Sequence, residues 1–101
     1  MKKKTTRMKN TELLLRDFRV LKAISNNVDL SQEQRAEALH KVSNIEIGLN
    51  VLNDDEMKLI NLRYFNGLRD IQISTILLLS SDYIGNLASE IIYKMSRCMA
   101  V

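Results

Sequence analysis

The chain has no proline and only three glycines among its 101 residues. These two residue types supply most of the tight turns that join β-strands, so the chain has little turn chemistry for strand hairpins. Leucine, lysine, glutamate and methionine favour helix, and a hydrophobic fraction of 46% is typical of a folded protein. The sequence therefore predicts a small all-α fold.

The sequence lacks the residues that several classes of function require. A single cysteine (Cys98) and a single histidine (His40) leave no Cys-His or Ser-His-Asp grouping, and no glycine-rich phosphate loop is present. We therefore expect no enzymatic activity, no cofactor, no metal site and no small-molecule substrate. No run approaches the ~18 apolar residues of a membrane span. The basic N-terminus is not followed by an apolar signal segment, so we expect a cytoplasmic protein without a membrane partner.

The positive charge is concentrated at the N-terminus. Net charge is +3 overall, but the first ten residues alone carry five cations, so the rest of the chain is net negative. Residues 1–10 are predicted to form a basic, flexible arm that either contacts phosphates or only improves solubility. The cations of this arm are Lys2, Lys3, Lys4, Arg7 and Lys9.

Residues 11–52 are predicted to form an antiparallel helical hairpin. The first helix is expected over about 11–27, with Thr11 as its cap and Glu12 in its first turn. Its apolar stripe has steps of four and three residues and consists of Leu14, Phe18, Leu21, Ile24 and Val28.

The second helix of the hairpin is predicted to begin at a capping box formed by Ser31 and Gln34. Its stripe consists of Ala38, Val42, Ile45, Leu49 and Leu52. Each stripe needs a partner, which is the other helix, the C-terminal half or a second subunit. The candidates for a homodimer or partner interface are Leu14, Phe18, Leu21, Val42, Ile45 and Leu49.

Residues 53–101 are predicted to form three more helices. Asn53 caps the third helix, which ends at the Asn66-Gly67 turn. The fourth helix, from about Asp70 to Leu78, is so rich in apolar residues that we expect it to be buried on several sides. The fifth runs from about 81 to 97, and its inward face is expected to contain Ile84, Leu87, Ala88, Ile91 and Met95.

This half of the chain resembles the C-terminal promoter-binding region (region four) of bacterial sigma factors. It is equally similar to the phage late-gene regulators of the ArpU, RinA and LtrC type, which use the same module. The resemblance is carried by Leu52, Glu56 and the run Leu62-Arg63-Tyr64, and then by the apolar pattern around the serine that opens the recognition helix. In this sequence the serine is Ser80, and the apolar residues around it are Ile73, Leu77, Ile84 and Met95.

The resemblance implies a helix-turn-helix whose fifth helix enters the major groove of DNA by its N-terminal end. Mapped onto this sequence, the DNA-contacting residues are Ser81, Asp82, Tyr83, Gly85, Asn86 and Ser89. Asn86 is expected to pair with an adenine edge. Phosphate contacts are expected from the arm and from Arg69, Lys94 and Arg97.

The sequence departs from the family at the surface that would touch DNA. The outer face of residues 81–93 has no arginine, lysine or glutamine, and residues 53–101 hold five basic residues against six acidic ones. Leu78-Leu79 stands where a glycine is common, and Gly85 costs on the order of 1 kcal/mol within a helix.

Two functions therefore stay open. The first is a small transcription regulator of a phage or mobile element that binds DNA through the helix-turn-helix. The alternative is a degenerate helix-turn-helix that binds a protein, either RNA polymerase or a related regulator, and inhibits or modulates it. Its interface would include the apolar runs Leu77-Leu78-Leu79 and Tyr83-Ile84.

Overall fold

A computed structural model describes residues 4–101 of the chain, and these residues contain helices and no strand. The predicted all-α fold is confirmed, with a helical hairpin followed by a helical module. The helices are α1 (Thr6–Ser25), α2 (Gln32–Leu49), α3 (Asp54–Ile60), α4 (Asp70–Leu77) and α5 (Ser81–Ser96). A π-helical segment, Asn61–Phe65, continues α3. No helix within the described residues is long and apolar enough to cross a membrane.

The predicted caps of α2 and α3 are confirmed. The Ser31 hydroxyl accepts a hydrogen bond from the Gln34 N–H at 3.1 Å, and the Gln34 side chain accepts one from the Ser31 N–H in return. Asn53 and Glu56 form the same reciprocal pair at the start of α3, at 2.8 and 2.9 Å. Ser80 caps α5. These bonds satisfy backbone N–H groups that the first turn of a helix leaves without partners.

The predicted start of the first helix is wrong. α1 begins at Thr6 and not at Thr11, with Thr5 as its cap, so the described residues 4–10 do not form a flexible arm. The physical reason is Met8, whose buried side chain adds a turn of apolar contact to the helix. Thr11 is buried in the helix interior, where its hydroxyl donates to the Arg7 carbonyl at 2.9 Å. Lys2 and Lys3 lie outside the described residues.

The buried face of α1 also differs from the predicted stripe. Met8, Leu15 and Phe18 are buried, whereas Val28 lies beyond the end of the helix and is 80% exposed. Glu12, which is predicted in the first turn, lies beyond it and is only 8% exposed. The apolar side of α1 packs against several other elements. Which of its residues are most deeply buried therefore depends on those tertiary contacts, and the spacing of apolar residues along the helix does not reveal them.

One hydrophobic core unites the hairpin and the C-terminal half. Phe18 of α1 stacks on Phe65 of the π-helical segment, with ring centroids 5.1 Å apart. The residues assigned to a dimer interface belong to this core: Phe18, Val42 and Ile45 are buried, and Leu14, Leu21 and Leu49 pack against it. That assignment is corrected, because the two hairpin helices and the C-terminal half of the same chain cover the stripes together.

The fourth helix is not buried on several sides as expected. Only Ile73 of α4 is fully buried, while Ile71 and Ile76 are 65% and 52% exposed. A helix of eight residues has room for one packed face, which α4 turns toward α5 and the π-helical segment. The inward face of α5 agrees better with expectation, because Ile84, Ala88, Ile91 and Met95 are all buried and Leu87 is partly so.

Candidate nucleic-acid interface

The turn Leu78-Leu79-Ser80 connects α4 to α5. Leu78 adopts the left-handed conformation, with φ 59° and ψ 40°. The Leu79 N–H donates to the Ser74 carbonyl at 3.3 Å, and the Ser80 hydroxyl accepts from the Tyr83 N–H at 3.1 Å. Two helices joined by such a short turn have the connection of a helix-turn-helix, in which glycine often occupies the left-handed position.

The proposed recognition residues share the exposed side of α5. Ser81, Asp82, Tyr83 and Asn86 are exposed at the N-terminal end of the helix, and Gly85 and Ser89 are half-buried. The opposite side of α5 lies in the core. The N-terminal end of α5 is therefore exposed to solvent.

Gly85 brings the beginning of α4 close to α5. A Cβ at position 85 would lie 3.3 Å from Oδ2 of Asp70, tighter than most contacts of that kind. Asp70 also borders a shallow hollow on the surface of α5, together with Ser81, Asp82 and Asn86. The glycine that disfavours helix locally thus permits the close approach of the two helices.

A chain of polar contacts ties α4 to the hairpin. The Tyr64 hydroxyl donates to Oε2 of Glu12 at 2.8 Å and accepts from Nη1 of Arg63 at 2.7 Å. Arg63 also donates to both carboxylate oxygens of Asp70, from Nε at 2.7 Å and from Nη2 at 3.2 Å. The network links α1, the π-helical segment and α4, so it helps to fix where α4 sits on the rest of the molecule.

The network shifts the pKa values of its members. Burial alone would raise the pKa of Glu12, but the hydrogen bonds from Lys4 and Tyr64 and the charges of Lys4 and Arg63 outweigh it, so this pKa is lowered. Burial, together with the hydrogen bond to Glu12, raises the pKa of Tyr64. The Asp70 carboxylate raises the pKa of Arg63. The shifts of Glu12 and Tyr64 favour an ionised carboxylate beside a neutral tyrosine hydroxyl, and that of Arg63 favours a charged guanidinium.

Within residues 4–101, the expected phosphate-binding cations do not all lie on one surface, although Lys94 and Arg97 line the same hollow. Lys4 pairs with Glu12 at 2.7 Å, and Lys94 pairs with Glu56 at 2.9 Å. Arg7 donates to the carbonyls of Ser96 at 2.6 Å, Met99 at 3.0 Å and Val101 at 3.2 Å.

Three further expected cations have different surroundings. The guanidinium of Arg97 lies 5.9 Å from the ring centroid of Tyr93. Lys9 is exposed on α1, and Arg69 is exposed immediately before α4.

Arg16 belongs to none of the motifs that the sequence pattern singles out. This residue of α1 lines a cleft at the Gly67 turn together with Arg63 and Arg69. The available signal was that Arg16 lies outside the apolar stripe of its helix. Nothing in the local pattern indicated that it meets residues about fifty positions later in the chain.

An apolar groove lies on the other flank of the exposed face of α5. It is lined by Leu59, Leu77, Leu79, Tyr83 and Leu87, with Asp55 and Lys58 also in its lining. Leu78, next to this groove in sequence, is 88% exposed. Contiguous apolar side chains at a surface are typical of sites that bind another protein.

Within residues 4–101, no group of three or more histidine, cysteine, aspartate or glutamate side chains is arranged to hold a metal ion. The surfaces that stand out are the exposed face of α5, the apolar groove beside it and the arginine-lined cleft at Gly67. Comparison with family models, with curated proteins and with solved structures gives no match for this chain.

Proposed function

We propose that this chain is a small cytoplasmic transcription regulator of a phage or mobile element, and that it binds DNA through α4 and α5. The observation that supports this best is the exposed N-terminal end of α5, which follows a short turn with a left-handed residue. A sigma-like module presents its recognition helix to the major groove in this way. A dimer that reads two half-sites would have to pair through surfaces other than the buried hairpin stripes.

The side chains on α5 suit base recognition better than non-specific attraction to phosphate. Asn86 is able to bond both the N6 and N7 groups of an adenine, and the Asp82 carboxylate is able to accept from the N4 amino group of a cytosine. Ser81 bonds either a base edge or a phosphate. Asp82 repels phosphates, so its position favours a helix that enters the groove and contacts base edges.

The test begins with selection of duplexes from a random-sequence library at low salt by the full chain, followed by anisotropy titrations of the selected duplex. We expect Asn86→Ala to weaken binding by about 1–3 kcal/mol and to relax preference at one base pair. Asn10→Ala, which removes an exposed amide from α1, is the matched control. Equal affinities of the two variants would exclude Asn86 as a base-reading residue, and no binding of the wild type even at low salt would refute the proposal.

The apolar groove favours a second candidate function, which is binding to RNA polymerase or to a related regulator. Purified bacterial RNA polymerase is the first partner to test, by biolayer interferometry. On this hypothesis Leu79→Ser and Tyr83→Ser abolish binding, while Val28→Ser, another exposed apolar position, leaves it unchanged. Apolar binding should also change little with salt, whereas binding to DNA weakens steeply as salt rises.

A further inference from the structure

Arg16 meets two arginines from a distant part of the sequence, Arg63 and Arg69, at one cleft. Arg16 comes from α1, Arg63 from the π-helical segment, and Arg69 from the residue before α4. Gly67 and Leu68 also line the cleft. Apart from Gly67 and its two chain neighbours, no heavy atom lies within 4 Å of where a Gly67 Cβ would be, so the space beside this glycine is open.

Two of these guanidinium groups are held in place before any ligand arrives. Both lie against the Tyr64 ring: the Cζ atoms of Arg16 and Arg63 are 5.3 Å and 5.4 Å from the centroid of that ring. Arg63 is fixed further by its two hydrogen bonds to Asp70. Side chains that are already ordered lose less conformational entropy when a ligand binds, which favours binding at this cleft.

The cleft keeps an excess of positive charge. Asp70 is the one carboxylate in its lining, and both of its oxygens already accept from Arg63. Glu12 lies 4.0 Å from Nη1 of Arg63, but Lys4 and Tyr64 also bind it. Among the described residues, no ion pair involves Arg16 or Arg69. Two guanidinium groups are therefore available to an anion, and guanidinium matches the geometry of phosphate oxygens.

We propose that this cleft binds a phosphate group, and that in the working protein this is a backbone phosphate of the DNA that α5 contacts. The identity of the phosphate as DNA rests on the proposed function, whereas the chemistry of the cleft does not. Asp70 borders both the cleft and the hollow on α5, so the two surfaces adjoin. Arg16 then gives the hairpin a direct part in binding DNA.

The variants remove the two available arginines and leave Arg63, whose loss would free Asp70. Arg16→Ala and Arg69→Ala are compared with Lys41→Ala, which removes an exposed cation from α2. Thermal melting of each variant monitors folding. Arg16→Lys tests whether phosphate binding needs the paired N–H donors of a guanidinium group, because lysine keeps the positive charge but has only a single ammonium group.

One arm titrates the full chain with pyrophosphate at constant ionic strength and follows the arginine Nε–Hε signals by NMR. The other measures affinity for the selected DNA duplex between about 50 and 200 mM salt. We expect pyrophosphate to shift the signals of Arg16 and Arg69. We also expect the slope of log affinity against log salt to decrease by about 0.9 for each arginine removed, and by nothing for Lys41→Ala.

The two arms separate failure of the cleft from failure of the proposed function. If pyrophosphate moves the two signals but DNA does not bind, the cleft takes a free phosphate compound and the DNA function is wrong. If the wild type binds DNA and the two variants keep its salt slope, α5 binds DNA without this cleft and the inference is overturned. The inference is also overturned if pyrophosphate shifts the NMR signals of neither Arg16 nor Arg69.

Discussion

At the scale of single residues, Leu78 is the clearest departure from backbone preference. It is the one non-glycine residue with positive φ among the described residues, and its side chain is 88% exposed. The left-handed conformation costs an L-residue roughly 1–2 kcal/mol, and so exposed a side chain gains little burial in return. The turn between α4 and α5 therefore contains local strain, which the contacts of the surrounding helices must offset.

Leu78→Gly is expected to stabilise the protein by about 0.5–1 kcal/mol, because glycine adopts positive φ without the steric cost and loses only part of that gain to backbone entropy. Urea denaturation followed by circular dichroism measures the change. Leu13→Gly, at an exposed position within α1, should instead destabilise by about 1 kcal/mol. A loss of stability in Leu78→Gly would mean that the exposed leucine makes a stabilising contact.

Gly48 illustrates a second residue-scale constraint, which comes from close packing. A Cβ at this position of α2 would lie 2.5 Å from Sδ of Met99 and 3.0 Å from Cε of Met95, and both methionines are buried. Gly48→Ala should therefore destabilise by about 1–3 kcal/mol despite the better helix propensity of alanine. Adding Met99→Ala should recover part of this cost, and strict additivity in the double-mutant cycle would contradict the packing explanation.

At the scale of elements, α4 is held by polar contacts as much as by apolar ones. Ile73 is its only fully buried residue, while Asp70 at its N-terminal end is bound by Arg63, which reaches Glu12 through Tyr64. A short helix with one buried side chain has little packing to fix its orientation. We infer that the network sets the position of α4, and with it the exposed face of α5 beside it.

The Glu12 carboxylate should make stability depend on acid pH. Its pKa is lowered in the folded state, so its contribution is complete above the unfolded pKa near 4.5 and is lost as pH falls through the lower, folded pKa. Glu12→Gln should cost about 1–3 kcal/mol at pH 7 and flatten the loss of stability in acid. Urea denaturation at about one-unit steps between pH 3 and pH 7 measures both the cost at pH 7 and the loss of stability in acid. Glu46→Gln, at an exposed position of α2, should change neither.

At the scale of the whole molecule, the hairpin and the C-terminal half share one core. Phe18 of the hairpin stacks on Phe65, and Arg7 at the start of α1 binds carbonyls near the end of the chain. Neither half retains its packing without the other. We therefore expect one cooperative unfolding transition for the chain.

Phe18→Ala tests this unity, because all three tyrosines lie in residues 53–101 and none lies in the hairpin. The substitution should cost about 3–5 kcal/mol and move the tyrosine fluorescence transition as far as the helical circular dichroism transition. Val20→Ala, at an exposed position of α1, should move neither by much. A tyrosine transition that stays at its wild-type midpoint would show that the two halves unfold separately.

The sequence by itself determined the helices and most of their ends. The all-α fold, the apolar spacing of α2 and α5, the caps at Ser31 and Asn53 and the turn at Gly67 are all confirmed. These features depend on residues three or four positions apart, so a local pattern is enough to predict them.

The tertiary structure alone decided which faces are covered and which charges meet. Glu12 and Tyr64 bond across 52 positions of sequence, and Arg7 reaches Ser96 across 89. Arg16 joins Arg63 and Arg69 only because α1 lies against the π-helical segment. Burial of the hairpin stripes, exposure of Ile71 and Ile76 and the arginine cleft all follow from how the helices pack. Packing brings together side chains far apart in the chain, and neither helix propensity nor capping contains that information.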